Sequence, residues 1–259
     1  MKIQGHVSKL VMMALMSLSV TAAARAEDTI KIGIDAAYKP FAFVDATGQL
    51  SGFEVELTKA VCQKINARCE ISNVPWDGIW TALEAGTIDM IGTTVTETAP
   101  RLKKYDVSST IYKVGYAFIV PTTTSIPGGL NGLKGKSIGT ITGTQNFYQY
   151  IRDTLGADTD IRGYDSPDAA VLDLDTGRIA AFQGDNLQMQ SEFVSTGKYK
   201  YVDKINYGSN GAGLGRAWFF RKGSPELTAK INKGIAAAIS DGTLDRLSNK
   251  YFGVKFASK

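Results

Sequence analysis

Lys136-Ser137-Ile138-Gly139-Thr140-Ile141, followed by Thr142-Gly143-Thr144-Gln145-Asn146, reads as a strand that turns straight into a helix. A short apolar run ends in a cluster of turn residues, and helical periodicity takes over across 145–154. The same unit recurs on both sides. Downstream, residues 160–164 read as a strand, 167–176 as a helix, 179–183 as a strand and 186–195 as a helix. Upstream, 29–35 alternates as a strand. Residues 53–66 then place Phe53, Leu57, Val61 and Ile65 on one helical face. Strand 70–74, helix 76–84 and buried strand 88–92 complete that series. Such βα alternation implies parallel sheets with helices on both faces.

Two series of similar rhythm imply two α/β lobes. An extended run at 112–121 separates them. A second extended run, 215–221, follows the glycine-rich stretch 208–213 and leads into helices at 225–240 and 243–252. That final pair has no strands of its own and is expected to return to the first lobe. The expected division is 27–114 with 215–259 for lobe one and 115–214 for lobe two, joined by two crossover strands. The polar stretch 122–132 reads as a surface loop.

The N-terminus carries an export signature. Lys2 and Lys9 precede the apolar run 10–20, which is too short to span a bilayer, and Ala24-Arg25-Ala26 places small residues before a cut at Glu27. Residues 1–26 are therefore expected to leave as a signal peptide. No cysteine follows the apolar run, so a soluble, unlipidated periplasmic protein is expected. The whole chain has 29 Lys and Arg against 25 Asp and Glu. The leader takes away Lys2, Lys9 and Arg25 and no acid, leaving a net charge near +1. Nothing in that balance calls for nucleic acid or an anionic membrane surface. The single histidine, His6, leaves as well. Ser-His and Cys-His nucleophile pairs and histidine metal sites leave with it. No cofactor or metal is expected, and the protein is expected to act as a monomer.

Cys62 and Cys69 are the only cysteines. Their spacing suits neither a zinc site nor a two-residue redox motif. In an oxidising compartment a disulfide stapling a helix end to the next strand is the natural pairing, with two buried thiols as the alternative. Two glycine motifs fail on context. Gly135-Lys136-Ser137 leads into a strand, not a helix, and Gly211 to Gly215 precedes a strand rather than following one.

Ligands in open α/β sheets bind at the carboxyl ends of the strands. Those ends carry Asp35 and Tyr38; Thr93, Thr94 and Thr96, with Arg101 beyond; Thr144-Gln145 at a helix start; and Asp185 at another. The set suits a zwitterion. An arginine can clamp a carboxylate through two parallel hydrogen bonds, and a helix N-terminus adds N–H donors for the same anion. Threonine hydroxyls serve either charged group, and Asp185 suits an ammonium. Taken singly, Arg101 also reads as a solvated helix charge, Asp185 as a helix cap and Trp76 as a core anchor.

At these residues the sequence resembles the polar amino-acid-binding proteins of bacterial ABC importers, solute-binding protein family 3, most of all the lysine/arginine/ornithine- and histidine-binding type. The resemblance rests on an ordered set: Asp35-x-x-Tyr38-x-Pro40-Phe41, Gly52-Phe53-Glu54-Val55-Glu56-Leu57, Cys62-x6-Cys69 and Trp76-Asp77-Gly78-Ile79. It continues through Thr93-Thr94-x-Thr96-x4-Arg101, Lys134-Gly135-Lys136-x-Ile138-Gly139, Gly177-Arg178 and Asp241-Gly242-Thr243 to Tyr251-Phe252. It implies a type II periplasmic binding protein fold, each lobe a sheet flanked by helices. The protein would capture an amino acid by lobe closure and pass it to a membrane permease. Arg101 would hold the carboxylate, assisted by Thr94, Thr96 and the backbone at Thr144–Gln145. Asp185 would take the amine, Tyr38 and Trp76 would flank the ligand side chain, and Asp35 would hold a distal cation. The chain departs from that type where paired serines become threonines, where Trp76 stands for a smaller residue, and at Ala180 and Gln183. The implied ligand is a polar, basic L-amino acid or a conjugate such as an opine. A cyclohexadienyl dehydratase-like enzyme and a sensory ligand-binding protein are the alternatives on the same fold.

Overall fold

A computed structural model describes residues 29–142, 144–203 and 215–256. The expected leader, Gly143 and the glycine-rich stretch 208–213 lie outside the described residues. β1 (Ile30–Ile34) passes through β2 (Ala37–Tyr38), β3 (Ala42–Val44) and β4 (Leu50–Ser51) into α1 (Phe53–Lys64). β5 (Cys69–Asn73), α2 (Trp76–Ala85), β6 (Met90–Thr96) and the short α3 (Ala99–Lys104) follow. Then come β7 (Asp106–Val107), β8 (Tyr112–Lys113) and β9 (Tyr116–Pro121). The second series is β10 (Ile138–Ile141), α4 (Gln145–Leu155), β11 (Ile161–Tyr164), α5 (Pro167–Asp175), β12 (Ala181–Asp185), α6 (Asn186–Gln188) and β13 (Tyr199–Tyr201). β14 (Gly215–Phe220), α7 (Pro225–Ser240) and α8 (Thr243–Phe252) close the chain.

One sheet runs β5-β1-β6-β14-β7, with β8 also on β14; the other runs β11-β10-β12-β9-β13. Each opens with three parallel strands in the same order. β14 joins β6 antiparallel, and β9 joins β12 antiparallel. These two strands carry the chain between sheets, and they make both sheets mixed rather than purely parallel.

The packing follows from side-chain alternation. On β14, Trp218 and Phe220 pack with Ile32, Phe53, Leu57, Ile231 and Leu244, which puts α1, α7 and α8 on that face. Ala217 and Phe219 pack with Ile79, Leu83 and Ile91, which puts α2 on the other. The second core gathers Ile138, Phe147, Ile151, Leu174, Phe182 and Phe193 around its own sheet. The chain thus adopts the expected two-lobed α/β architecture. Among the described residues no helix is long and apolar enough to cross a membrane.

Sheet pairing moves several expected boundaries. β6 runs on to Thr96 because β14 pairs with it as far as Arg216 opposite Thr96. β12 starts later than expected and ends on Asp185, which lies opposite Tyr116 of β9. The expected extended run 112–121 divides, its first part on β14 and its second in the other sheet. The helix expected over 186–195 is α6 continued by a π-turn (Met189–Phe193) and a 3-10 turn (Val194–Thr196). The small sheet β2-β3-β4 and α3 were not expected.

Candidate functional site

The carboxyl ends of β1, β6, β10 and β12 face one another across a cavity of about 420 Å³. Asp35, Tyr38, Trp76, Thr93, Thr94, Thr96, Arg101, Thr144 and Asp185 all line it. Gln145 is the exception: its side chain is exposed and lies outside the lining, whereas its neighbour Asn146 lines the cavity. Other polar members of the wall, among them Glu54, Tyr112, Asn146 and Arg216, were not assigned to the site from sequence.

Arg101 projects from α3. Its Nη1 donates to the Thr96 carbonyl at 3.1 Å, and its guanidinium lies 5.8 Å from the Trp76 ring and 5.3 Å from the Trp80 ring. The two indoles, one helical turn apart on α2, meet edge to face at 6.0 Å. Cation–π attraction therefore holds the guanidinium in place. Burial, with the like charge of Arg216, lowers its pKa to about 10, so it stays cationic at neutral pH. Arg101 is not a freely solvated helix charge.

The threonines divide their labour. The Thr93 hydroxyl accepts from the Asp35 N–H at 2.8 Å and fixes the end of β1. Thr94 is turned inward: its N–H donates to Glu54 at 2.7 Å, its hydroxyl also donates to Glu54, and that hydroxyl lies 2.6 Å from the Tyr112 hydroxyl. Thr96 Oγ1 lies 3.5 Å from Asn146 Nδ2, which also donates to the Tyr116 hydroxyl at 2.5 Å. Asn146 belongs to α4 and Thr96 to β6, so this contact crosses between the sheets.

Glu54 arrives by an entry turn that only glycine fits. Gly52, at φ 117°, precedes α1, and a Cβ there would sit 2.4 Å from the Phe41 carbonyl oxygen. The Phe53 and Glu54 N–H groups then donate to the carbonyls of Pro40 and Phe41 at 3.0 and 2.8 Å. Glu54 is 2 % exposed, and burial pushes its carboxyl up to about 7 against the Thr94 hydrogen bonds. Asp35 is half-buried, and its carboxyl is raised by burial.

Asp185 is 3 % exposed and makes no side-chain capping bond to the helix it precedes. Nor does it stand as a free acceptor. Arg216 of β14 forms an ion pair with one carboxylate oxygen, and the Tyr38 hydroxyl donates to the other at 3.2 Å. Burial opposes the charge of Arg216, yet Asp185 and the nearby tyrosine hydroxyls hold its pKa above the ordinary arginine value. A signal for Arg216 did exist: it is the one charge in the apolar strand Gly215–Phe220. Among the described residues no group of three or more potential metal ligands converges.

Two α/β lobes whose strand ends meet at a polar, cation-bearing cavity define the class of two-lobed solute-binding proteins. Residues 30–254 match the bacterial extracellular solute-binding proteins, family 3, and the chain belongs to that family. The L-arginine-binding protein of Pseudomonas aeruginosa is 30 % identical over 94 % of this chain and 96 % of its own. The histidine-binding periplasmic protein of Salmonella typhimurium is 32 % identical over 90 % of this chain and 92 % of its own. Among solved structures, an ancestral arginine-binding protein bound to arginine superposes with a TM-score of 0.77 at 30 % identity, covering 87 % of this chain and 98 % of that one.

Proposed function

We propose that this chain is a periplasmic binding protein that captures a polar, basic L-amino acid, or a conjugate of one, and delivers it to the permease of an ABC importer. Residues 27–114 with 215–259 form one lobe and 115–214 the other, and closure of the two buries the ligand. The observation that carries this reading is Arg101: a cation held by the Thr96 carbonyl and two indoles, at a cavity where both lobes present their strand ends. A ligand carboxylate completes it with charge-assisted hydrogen bonds, each worth roughly 1.5–3 kcal/mol. The first turn of α4, at Thr144–Gln145, and Thr96 share that anion. Tyr38 and Trp76 flank the ligand side chain, Asp35 takes a distal cation, and Asp185 receives the amine beside its existing partners. The relatives named above are binding proteins, and this one is read as a monomeric binder that releases its ligand unchanged.

Titration calorimetry against the common L-amino acids tests the proposal. At least one is expected to bind at micromolar affinity or better. Arg101→Ala is expected to weaken it by about a hundredfold, since a buried carboxylate left without its partner costs roughly 3 kcal/mol. Absence of binding by every amino acid and conjugate, or chemical turnover of the ligand, overturns it.

A further inference from the structure

Holding one amino acid uses Arg101 and leaves the second guanidinium of the cavity, Arg216, with no ligand group to meet. Arg216 is 9 % exposed and lies on β14 opposite Thr96. One N–H goes to Asp185, and another makes a long 3.5 Å contact with the Thr94 carbonyl. A guanidinium carries five N–H donors, so with only these two contacts among the described residues Arg216 has donors to spare at the cavity it lines.

The charges do not balance for a simple basic amino acid. Its distal cation is met by Asp35, and its ammonium and carboxylate cancel each other. What remains in the wall is Arg101 and Arg216 against Asp185, one positive charge in excess. Glu54 is a weak offset, because its carboxyl titrates near neutrality, at about 7. Asp77 and Asp165 also line the cavity, but both are exposed and screened by water. A ligand ammonium arriving at Asp185 therefore meets a carboxylate that Arg216 has already neutralised. A cavity of about 420 Å³ also lies within the roughly 300–1,000 Å³ of pockets for drug-sized ligands, so a molecule larger than one amino acid fits its scale.

We propose that Arg216 is a second anion subsite that selects amino-acid conjugates bearing two carboxylates, the N-(1-carboxyalkyl) amino acids, over the parent amino acids. This rests on the reading that Arg101 holds one carboxylate. The second carboxylate meets Arg216, and the secondary ammonium between the two lies toward Asp185. A planar guanidinium suits this task because it offers paired donors to a carboxylate while keeping a bond to Asp185.

Calorimetry with L-arginine, L-lysine and L-histidine, each beside its N-(1-carboxyethyl) derivative, tests the proposal on the full processed chain. The best derivative is expected to bind wild type about tenfold or more tighter than its parent. Arg216→Gln, which also frees Asp185 for the amine of either ligand, should lower the affinity of the derivative relative to its parent about tenfold, and Arg216→Lys should fall between. Thermal melting checks that each variant folds; should Arg216→Gln fail, the wild-type ranking and Arg216→Lys still decide. A wild type that prefers the parents, or an Arg216→Gln effect equal for both ligands, overturns the subsite. Parents that bind in an Arg101-dependent way while no derivative does overturn this inference alone. Absence of any binding overturns the proposed function with it.

Discussion

Glu54 shows how one buried acid ties the fold to the site. It is the second residue of α1, where an acid favours the helix dipole, yet its carboxyl points at Thr94 on β6. The apolar surroundings raise its pKa from 4.5 to about 7. In the unfolded chain it ionises near 4.5, so between there and about 7 the native state binds more protons than the unfolded state. Stability linked to Glu54 is therefore full below about pH 4.5 and is lost as pH rises through 7. Urea unfolding at pH 5 and pH 8 should show wild type losing about 2–3 kcal/mol relative to Glu54→Gln across that interval. Parallel pH profiles for the two proteins would refute the assignment. Thr94, bound to the same carboxylate and to Tyr112, acts as part of this inner frame, while Arg101 is held by the Thr96 carbonyl at the cavity wall.

At the scale of elements, the disulfide joins the last turn of α1 to the first residue of β5. Cys62 and Cys69 are bonded, as expected, and the closed loop spans a separation of 7 residues. So short a loop removes little chain entropy on closure. Replacing both cysteines by alanine should cost about 2.5 kcal/mol in urea unfolding and leave ligand affinity unchanged, since neither residue lines the cavity. A loss of affinity would mean that the staple positions the site through α1, which carries Glu54. The α1–β5 connection packs on the side of the sheet where α7 and α8 also lie, and it is there that the C-terminal helices rejoin the first lobe.

At the scale of the molecule, the lobes are joined by the crossover strands and by side chains that reach across the cleft. Tyr38 and Arg216 both hold Asp185, Asn146 reaches Thr96, and Gln188 Nε2 donates to the Lys39 carbonyl at 2.8 Å. Closure is thus supported by contacts of its own, and a ligand adds differential contacts that favour it further. A ligand at a hundred times its dissociation constant should stabilise the protein by about 2.7 kcal/mol, or a rise in Tm of about 5–10 °C for a chain of this size. Thermal shift with the tightest amino acid checks this, and Arg101→Ala should abolish the rise at the same concentration. No rise in wild type would separate binding from folding and contradict capture inside the cleft.

The sequence by itself determined the class. Apolar period, turn residues and helix starts are local signals, and they located the parallel strands and the helices α1, α2, α4 and α5 to within a few residues, though not α3 after β6. Strand ends in an α/β sheet are also local, so Asp35, Tyr38, Thr93, Thr94, Thr96, Arg101 and Asp185 were legible as one candidate set, and they line one cavity. Only the tertiary structure decided the partnerships. Arg216 lies 31 residues from Asp185 in sequence, and Glu54 lies 40 from Thr94. Such pairs depend on how a crossover strand and a helix pack against the sheet, and one residue of slip in β14 would turn Arg216 to the opposite face. The ends of β6 and β12 and the small sheet β2-β3-β4 have the same origin. They are set by neighbouring strands and not by the composition of their own segments.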